Sequence, residues 1–217
     1  MSLSIKTIVC GIFDTNTYVV FDEKSKQGFV VDPSDGYEAI KDCLTANNVD
    51  LEAVLVTHGH FDHIGSVAKL QQDGAKVYMS RDDESKIVNQ NNYLATMLDI
   101  TTQPFDIDVY VEDGQQLPIA GTNIQVMTTA GHSRGGVCYL CEDASYRGKH
   151  YDKVMFCGDT IFRDSYGRTD FPDGDLAKLK KSITKILNLQ GDILLLTGHG
   201  DSTTSAYERQ SNPIFYD

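Results

Sequence analysis

The chain has 217 residues, of which 41% are hydrophobic and 23% charged, and it carries a formal net charge of −12. This is the composition of a soluble globular protein, long enough for one large domain or two small ones. The acidic balance and scattered Lys and Arg argue against nucleic acid or an anionic membrane as partner, and no apolar run is long enough to cross a bilayer.

The N-terminal stretch "MSLSIKTIVCGIFDTNTYVV" alternates like a strand and lacks a basic n-region, so no secretory signal is expected. Short strands are expected over Ser4–Val9, Thr17–Phe21 and Gly28–Val31, punctuated by turn residues such as Asp32-Pro33-Ser34-Asp35-Gly36. A helix over Tyr37–Asn47 precedes a buried strand, Ala53–Val56, and a second helix spans Ile64–Gln72. Val77–Met79 reads as a strand and the polar stretch Arg81–Met97 as mainly helical. A second group of strands follows at Asp108–Val111, Asn123–Thr129, Gly136–Cys141 and Lys153–Cys157. The helix Asp175–Leu189, the buried strand Asp192–Leu196 and a short helix within "STTSAYERQSNP" end the chain. Strands and helices that recur in two similar halves point to an α/β fold, a four-layer αββα sandwich with one core. The 5 cysteines have no framework spacing, which suits a reducing, cytoplasmic setting. Cys138 and Cys141 form a C-x-x-C inside an apolar strand and are expected to pack rather than bind metal.

Polar residues collect where the buried strands end. Ala53–Val56 leads to His58-Gly59-His60-Phe61-Asp62-His63, Asn123–Thr129 to His132, Lys153–Cys157 to Asp159, and Asp192–Leu196 to His199. Half of the 6 histidines of the chain lie in the first of these clusters. Imidazole and carboxylate are natural ligands for zinc, iron(II) or manganese(II). Alternate residues of extended backbone face one side, so His58 and His60 can share an ion, with Gly59 allowing the bend between them. Asp62 and His63 can face a second ion as the chain enters the helix, and His132, Asp159 and His199 would complete the site. His150, in the polar stretch "EDASYRGKHYD", has no expected role.

"THGHFDH", "AGHS", "CGDT" and "TGHG" resemble, in order and spacing, the metallo-β-lactamase superfamily. "NTYVV", "VVDPSD", "FRDSYGRTDFPDGD" and "TGHGDSTTSAYERQSNP" are similar to the glyoxalase II-like, hydroxyacylglutathione hydrolase group. The resemblance implies His58, His60 and His132 on one metal, Asp62, His63 and His199 on a second, and Asp159 bridging both. Zinc is the expected metal, with iron or manganese as alternatives. Full glyoxalase II enzymes continue beyond the position of His199 into a helical glutathione-binding domain. Here residues 1–217 are expected to be a single domain without it.

Two divalent ions and two carboxylates leave net positive charge, which makes a metal-bridging hydroxide available at neutral pH. It is expected to attack a thioester or ester carbonyl, with Asp62 orienting the water. The likeness also places Arg168 where relatives present a basic residue to substrate; the alternative for Arg168 is a salt bridge to Asp164, Asp170 or Asp173. Tyr166 would line the pocket, Arg134 would protrude into its mouth, and Thr57, Ser133 and Thr160 would orient ligands. The expected partner is a small anionic thioester or ester. The rival readings are a mononuclear-iron persulfide dioxygenase, a lactonase, a phosphodiesterase, and a non-catalytic metal-binding module.

Overall fold

In the computed structural model, which describes residues 2–88 and 92–216, alternation along each strand decides which of three cores a side chain enters. Strand β1 (Leu3–Cys10) pairs antiparallel with β2 (Thr15–Asp22), and β2 with β3 (Gln27–Val31). All eight positions of β2 are buried, because both faces of its sheet are covered. Tyr18 and Val20 join a central core, whereas Val19 and Phe21 join an outer one. This explains why Tyr18–Phe21 is a continuous apolar run rather than one alternating with polar residues.

Helix α1 (Tyr37–Ala46) carries the chain to β4 (Asp50–Leu55), parallel to β3. Helices α2 (Phe61–Ile64) and α3 (Val67–Gln72) carry it on to β5 (Lys76–Met79), parallel to β4. Ile40 and Leu44 of α1 and Val67 and Leu70 of α3 pack on Val19, Val30 and Val54, forming the first outer core. The stretch expected to be mainly helical, residues 81–97, holds a 3-10 turn, Arg81–Asp83, and two short helices, α4 (Ser85–Val88) and α5 (Tyr93–Met97); residues 89–91 lie outside the described residues. Strand β6 (Val109–Tyr110) completes this half.

The second half repeats the plan. Strands β7 (Gln116–Ile119), β8 (Thr122–Thr128), β9 (Val137–Tyr146) and β10 (Lys149–Gly158) run antiparallel. A small hairpin of β11 (Ile161–Phe162) and β12 (Ser165–Tyr166) follows. Helix α6 (Leu176–Leu187) then leads to β13 (Leu194–Thr197), parallel to β10. Asp175 caps α6 by accepting the Lys178 N–H, and Leu179, Ile183, Ile186 and Leu187 bury its apolar face on Cys138, Met155, Cys157 and Leu195. Strand β14 (Thr203–Thr204) and helix α7 (Ser205–Ser211) close the chain.

Each half therefore has a run of antiparallel strands, three in the first and four in the second, followed by a helix and a parallel strand. The halves join where β1 pairs parallel with β9, Leu3–Ile5 against Ala144–Tyr146. Three stacked cores separate helix, sheet, sheet and helix, the expected four-layer αββα sandwich. Cys138, Cys141 and Cys157 are buried and unbridged. The stretch holding His150 forms the turn end of a long hairpin of β9 and β10. Among the described residues no helix is long and apolar enough to cross a membrane.

Candidate metal centre

The parallel strands β4, β10 and β13 end on one side of the sandwich, as does β8. His58, Asp159, His199 and His132 follow within a few residues. Beyond β4, His60 is the extended N-cap of α2, and the helix turns Asp62 and His63 inward. Gly59 is required by close approach rather than by a left-handed bend. A Cβ there would meet Met79 Cε, the Asp83 carbonyl and Lys86 Cβ at 3.0–3.1 Å, and Gly59 is absent from the positive-φ glycines.

Hydrogen bonds on the far nitrogens fix the imidazole tautomers. The Thr57 hydroxyl donates to Asp32 Oδ2 at 2.6 Å, so it accepts from His58 Nδ1–H at 3.0 Å. His63 Nδ1–H donates to Asp32 Oδ2 at 3.0 Å. His132 Nδ1–H donates to the Arg168 carbonyl at 2.8 Å, and His199 Nδ1–H to the Phe13 carbonyl at 3.0 Å. Four Nε2 lone pairs are thereby left to converge. His60 contributes Nδ1, which stands 2.8 Å from His132 Nε2.

Among the described residues three groups of donors lie close enough to share an ion: His58 with His60 and His132, Asp62 with His63 and His199, and Asp32 with His58 and His63. In the third, Asp32 already accepts from His63 and Thr57, which leaves the first two for metal. Asp159 faces both: its oxygens lie 3.3 Å from His63 Nε2, 3.5 Å from His132 Nε2 and 3.4 Å from His199 Nε2. Asp62 Oδ2 lies 3.3 Å from His199 Nε2 and 3.5 Å from His63 Nε2. Two ligands at about 2.1 Å from one ion at the tetrahedral angle are about 3.4 Å apart, so these separations are those of a coordination polyhedron. His58 Nε2, His63 Nε2 and Asp159 Oδ1 are buried without a hydrogen-bond partner, a costly arrangement unless a cation satisfies them. A divalent ion fits this donor set.

The proton affinities divide the cluster. Burial, reinforced by the other imidazoles, holds His58 far below the usual histidine value, and burial beside His132 pushes His60 down to about 3. Burial also works against charge on His63, but Asp62, Asp159 and Asp32 overcome it and raise its pKa well above normal. His199 is raised to about 10: burial again opposes, and its bonds to Asp159 and Asp62 prevail. Asp159 lies far below the carboxylate range because His63 and His199 outweigh its burial.

The other expected residues divide. Thr57 orients His58 as described. Thr160 instead bonds Thr129 at 3.0 Å, and Ser133 Oγ is buried with no partner, so neither hydroxyl orients a ligand. Tyr166 and Arg168 line a cavity of about 370 Å³ over the donor cluster, with Phe13, Phe162 and Phe171 among its walls. Arg168 is committed to Asp170 through two 2.7 Å bonds and stacks on Phe171 at 4.0 Å, the salt-bridge alternative among its expected partners. Arg134 is exposed and lines an adjoining cavity.

Three residues with structural leverage were not singled out by pattern. Asp32 holds His63, the Thr57 hydroxyl and the Thr57 N–H, the last at 2.7 Å. Asp83, fully buried, accepts the Gly59 N–H at 2.9 Å, the Gly135 N–H at 2.8 Å and Lys86 Nζ at 2.7 Å. Lys86 also reaches Asp173 at 2.5 Å. Together they tie the loop of His58 and His60 to the loop of His132. For Asp32 a signal existed, the turn "VVDPSD" at the end of an apolar strand; for Asp83 and Lys86 none did.

Residues 10–199 match the profile described as the metallo-beta-lactamase superfamily. Over 223 residues the chain is 31% identical to hydroxyacylglutathione hydrolase GloC of Haemophilus influenzae, covering 98% of each. It superposes on the crystal structure of BLEG-1 B3 metallo-beta-lactamase with a TM-score of 0.87 and 30% identity, over 98% of this chain and 100% of that one. It matches TTHA1623 in a di-iron-bound form with a TM-score of 0.79 and 28% identity, over 96% and 98%. Fold, donor arrangement and kinship agree, and the chain belongs to the metallo-β-lactamase superfamily.

Proposed function

We propose that the protein is a thioesterase of the hydroxyacylglutathione hydrolase kind, using two divalent metal ions. His58, His60 and His132 would hold one, Asp62, His63 and His199 the other, with Asp159 between them. The observation that carries the reading is the pair of donor groups that share Asp159 at separations suited to an ion. The imidazole and carboxylate donors suit zinc, and iron or manganese are the alternatives. Bound ions of this kind supply a water of lowered pKa and polarise a carbonyl.

The chain's own residues then set up the reaction. Asp32, Thr57 and the carbonyls of Arg168 and Phe13 hold the imidazoles with their lone pairs forward. The carboxylate of Asp62, steadied by the Thr15 hydroxyl at 3.3 Å, orients the attacking water. Phe13, Phe162 and Phe171 shield the scissile bond from bulk solvent. A thiolate leaves without being protonated, so a thioester asks no general acid of the cavity. The name of the Haemophilus relative supports the same substrate class.

The match to a B3 metallo-β-lactamase over the whole of both chains favours a second reading, β-lactam ring opening. It too begins with attack on a carbonyl, but its amide nitrogen must gain a proton to leave. Metal analysis of the purified protein, with turnover of a hydroxyacylglutathione thioester, a lactone, a β-lactam and glutathione persulfide, separates these activities. The expected result is about two ions per chain and preferred thioester hydrolysis, lost in His60→Ala and Asp159→Ala variants that keep the fold. Undiminished hydrolysis in those variants, or oxygen uptake with one iron, would reject the reading.

A further inference from the structure

A second cavity, of about 220 Å³, adjoins the one over the donor cluster and shares His60 and Phe171 with it. Lys86 lies in its wall, but its ammonium is engaged by Asp83 and Asp173. Asp173 also receives the Arg134 backbone N–H at 3.2 Å. Two charged groups on the same cavity remain: the Arg134 guanidinium and the Asp82 carboxylate. Both residues are exposed, and neither side chain has a hydrogen bond or ion pair among the described residues, with each other included. The rings of Tyr93 and Phe171, which also line this cavity, stand 5.7 Å apart. Arg168 offers no comparable charge, because Asp170 occupies its fork.

An anion alone in this cavity would face Asp82 and Asp173 as well as Arg134, and a cation alone would face Arg134. A group carrying both signs meets a partner for each. We propose that the second cavity takes a zwitterionic amino-acid head of the substrate, its carboxylate on Arg134 and its ammonium on Asp82. The remainder of the substrate then passes His60 and Phe171 to the donor cluster. This assignment rests on the thioesterase reading for the direction in which the substrate lies. Charge-assisted hydrogen bonds at both ends would make it a specificity site rather than a catalytic one.

Calorimetric titration of the metal-loaded protein with S-methylglutathione tests it, since that thioether cannot be hydrolysed and ends in an ammonium and carboxylate pair. Its N-acetyl derivative lacks the ammonium, and its dimethyl ester lacks the carboxylates. The parent should bind at least about tenfold more tightly than either derivative. Arg134→Gln should weaken the parent about tenfold and erase its advantage over the ester. Asp82→Asn should erase its advantage over the N-acetyl derivative. Equal affinity for the three probes, or equal weakening of all three by either substitution, overturns the assignment. Binding is read here without turnover. A protein that discriminates the probes but hydrolyses no thioester refutes the thioesterase reading alone, and one that hydrolyses thioesters without discriminating refutes the subsite alone.

Discussion

The carboxylate of Asp32 grips the His63 imidazole by its Nδ1–H at 3.0 Å, with both groups almost wholly buried. The contact fixes which nitrogen of His63 faces the donor cluster. An amide cannot accept from His63 and from both Thr57 groups as the two carboxylate oxygens do, so Asp32→Asn should loosen the ring without changing its size. Partners of metal-binding imidazoles typically contribute 10- to 100-fold to affinity, and a loss of about that size is expected here. Competition with a chelator measures it, and a variant that holds metal as tightly as the parent would remove Asp32 from this role.

The divided proton affinities predict proton release on metal loading. In the metal-free protein near pH 7, His63 and His199 hold protons that they must give up to bind a cation, whereas His58 and His60 are already neutral. These two histidines should therefore release about two protons per chain on loading, beyond the one freed when a bound water ionises. Calorimetry in buffers of different ionisation enthalpy counts them, and none released contradicts the assignment. The sign for stability follows. A raised value in the fold stabilises below the unfolded value of about 6.5, and the benefit fades as pH rises through the folded value. For His199 that value is about 10. The metal-free protein should thus lose stability between about pH 6.5 and 10, while the loaded protein should not lose it through these two groups.

What could be read from the chain alone depended on distance along it. The cluster from His58 to His63 was legible because its spacing is local and a buried strand leads into it. His132, Asp159 and His199 were legible because each follows an apolar run, and burial of a strand is a local signal. Asp32 acquires its role only when Val31 pairs with Leu55 and brings Thr57 alongside, a register that periodicity does not encode. The Asp83 network joins residues 59, 135 and 173 across two halves, and no short pattern announces it. The mainly helical stretch over residues 81–97 opens with a 3-10 turn, and there Asp83 and Lys86 turn inward to these loops.

Gly198 lies against the cluster so closely that any side chain must displace a donor. A Cβ there would collide with Asp159 Oδ1 and stand 2.8 Å from His63 Cε1. Both donors sit at 12% exposure or less and have little room to retreat. Gly198→Ala should therefore fold, since the obstruction is confined to the end of β13, but bind metal poorly and lose most activity. Retained metal content by elemental analysis would show that the cluster is more compliant than its packing implies.

Asp83 and Lys86 are coupled by burial, and the coupling has a sign that can be measured. Their side chains are 0% and 8% exposed, so removal of Lys86 leaves Asp83 without a counter-charge in a poorly solvated place, and removal of Asp83 leaves Lys86 with Asp173 as its acidic partner. Asp83→Asn or Lys86→Met alone should each cost about 3 kcal/mol of folding stability, and the double variant should cost less than the sum. Burial raises the Asp83 pKa, but Lys86 and the Gly59 and Gly135 N–H groups more than offset it, so the folded value is depressed. Its contribution is accordingly present above the unfolded value of about 3.9 and is lost as pH falls through the folded value. Urea unfolding of the four proteins at neutral pH and at about pH 3.5 tests both statements. Strict additivity would deny the coupling. A parent protein whose stability falls between the two pH values no more than that of Asp83→Asn would deny that Asp83 contributes to acid sensitivity.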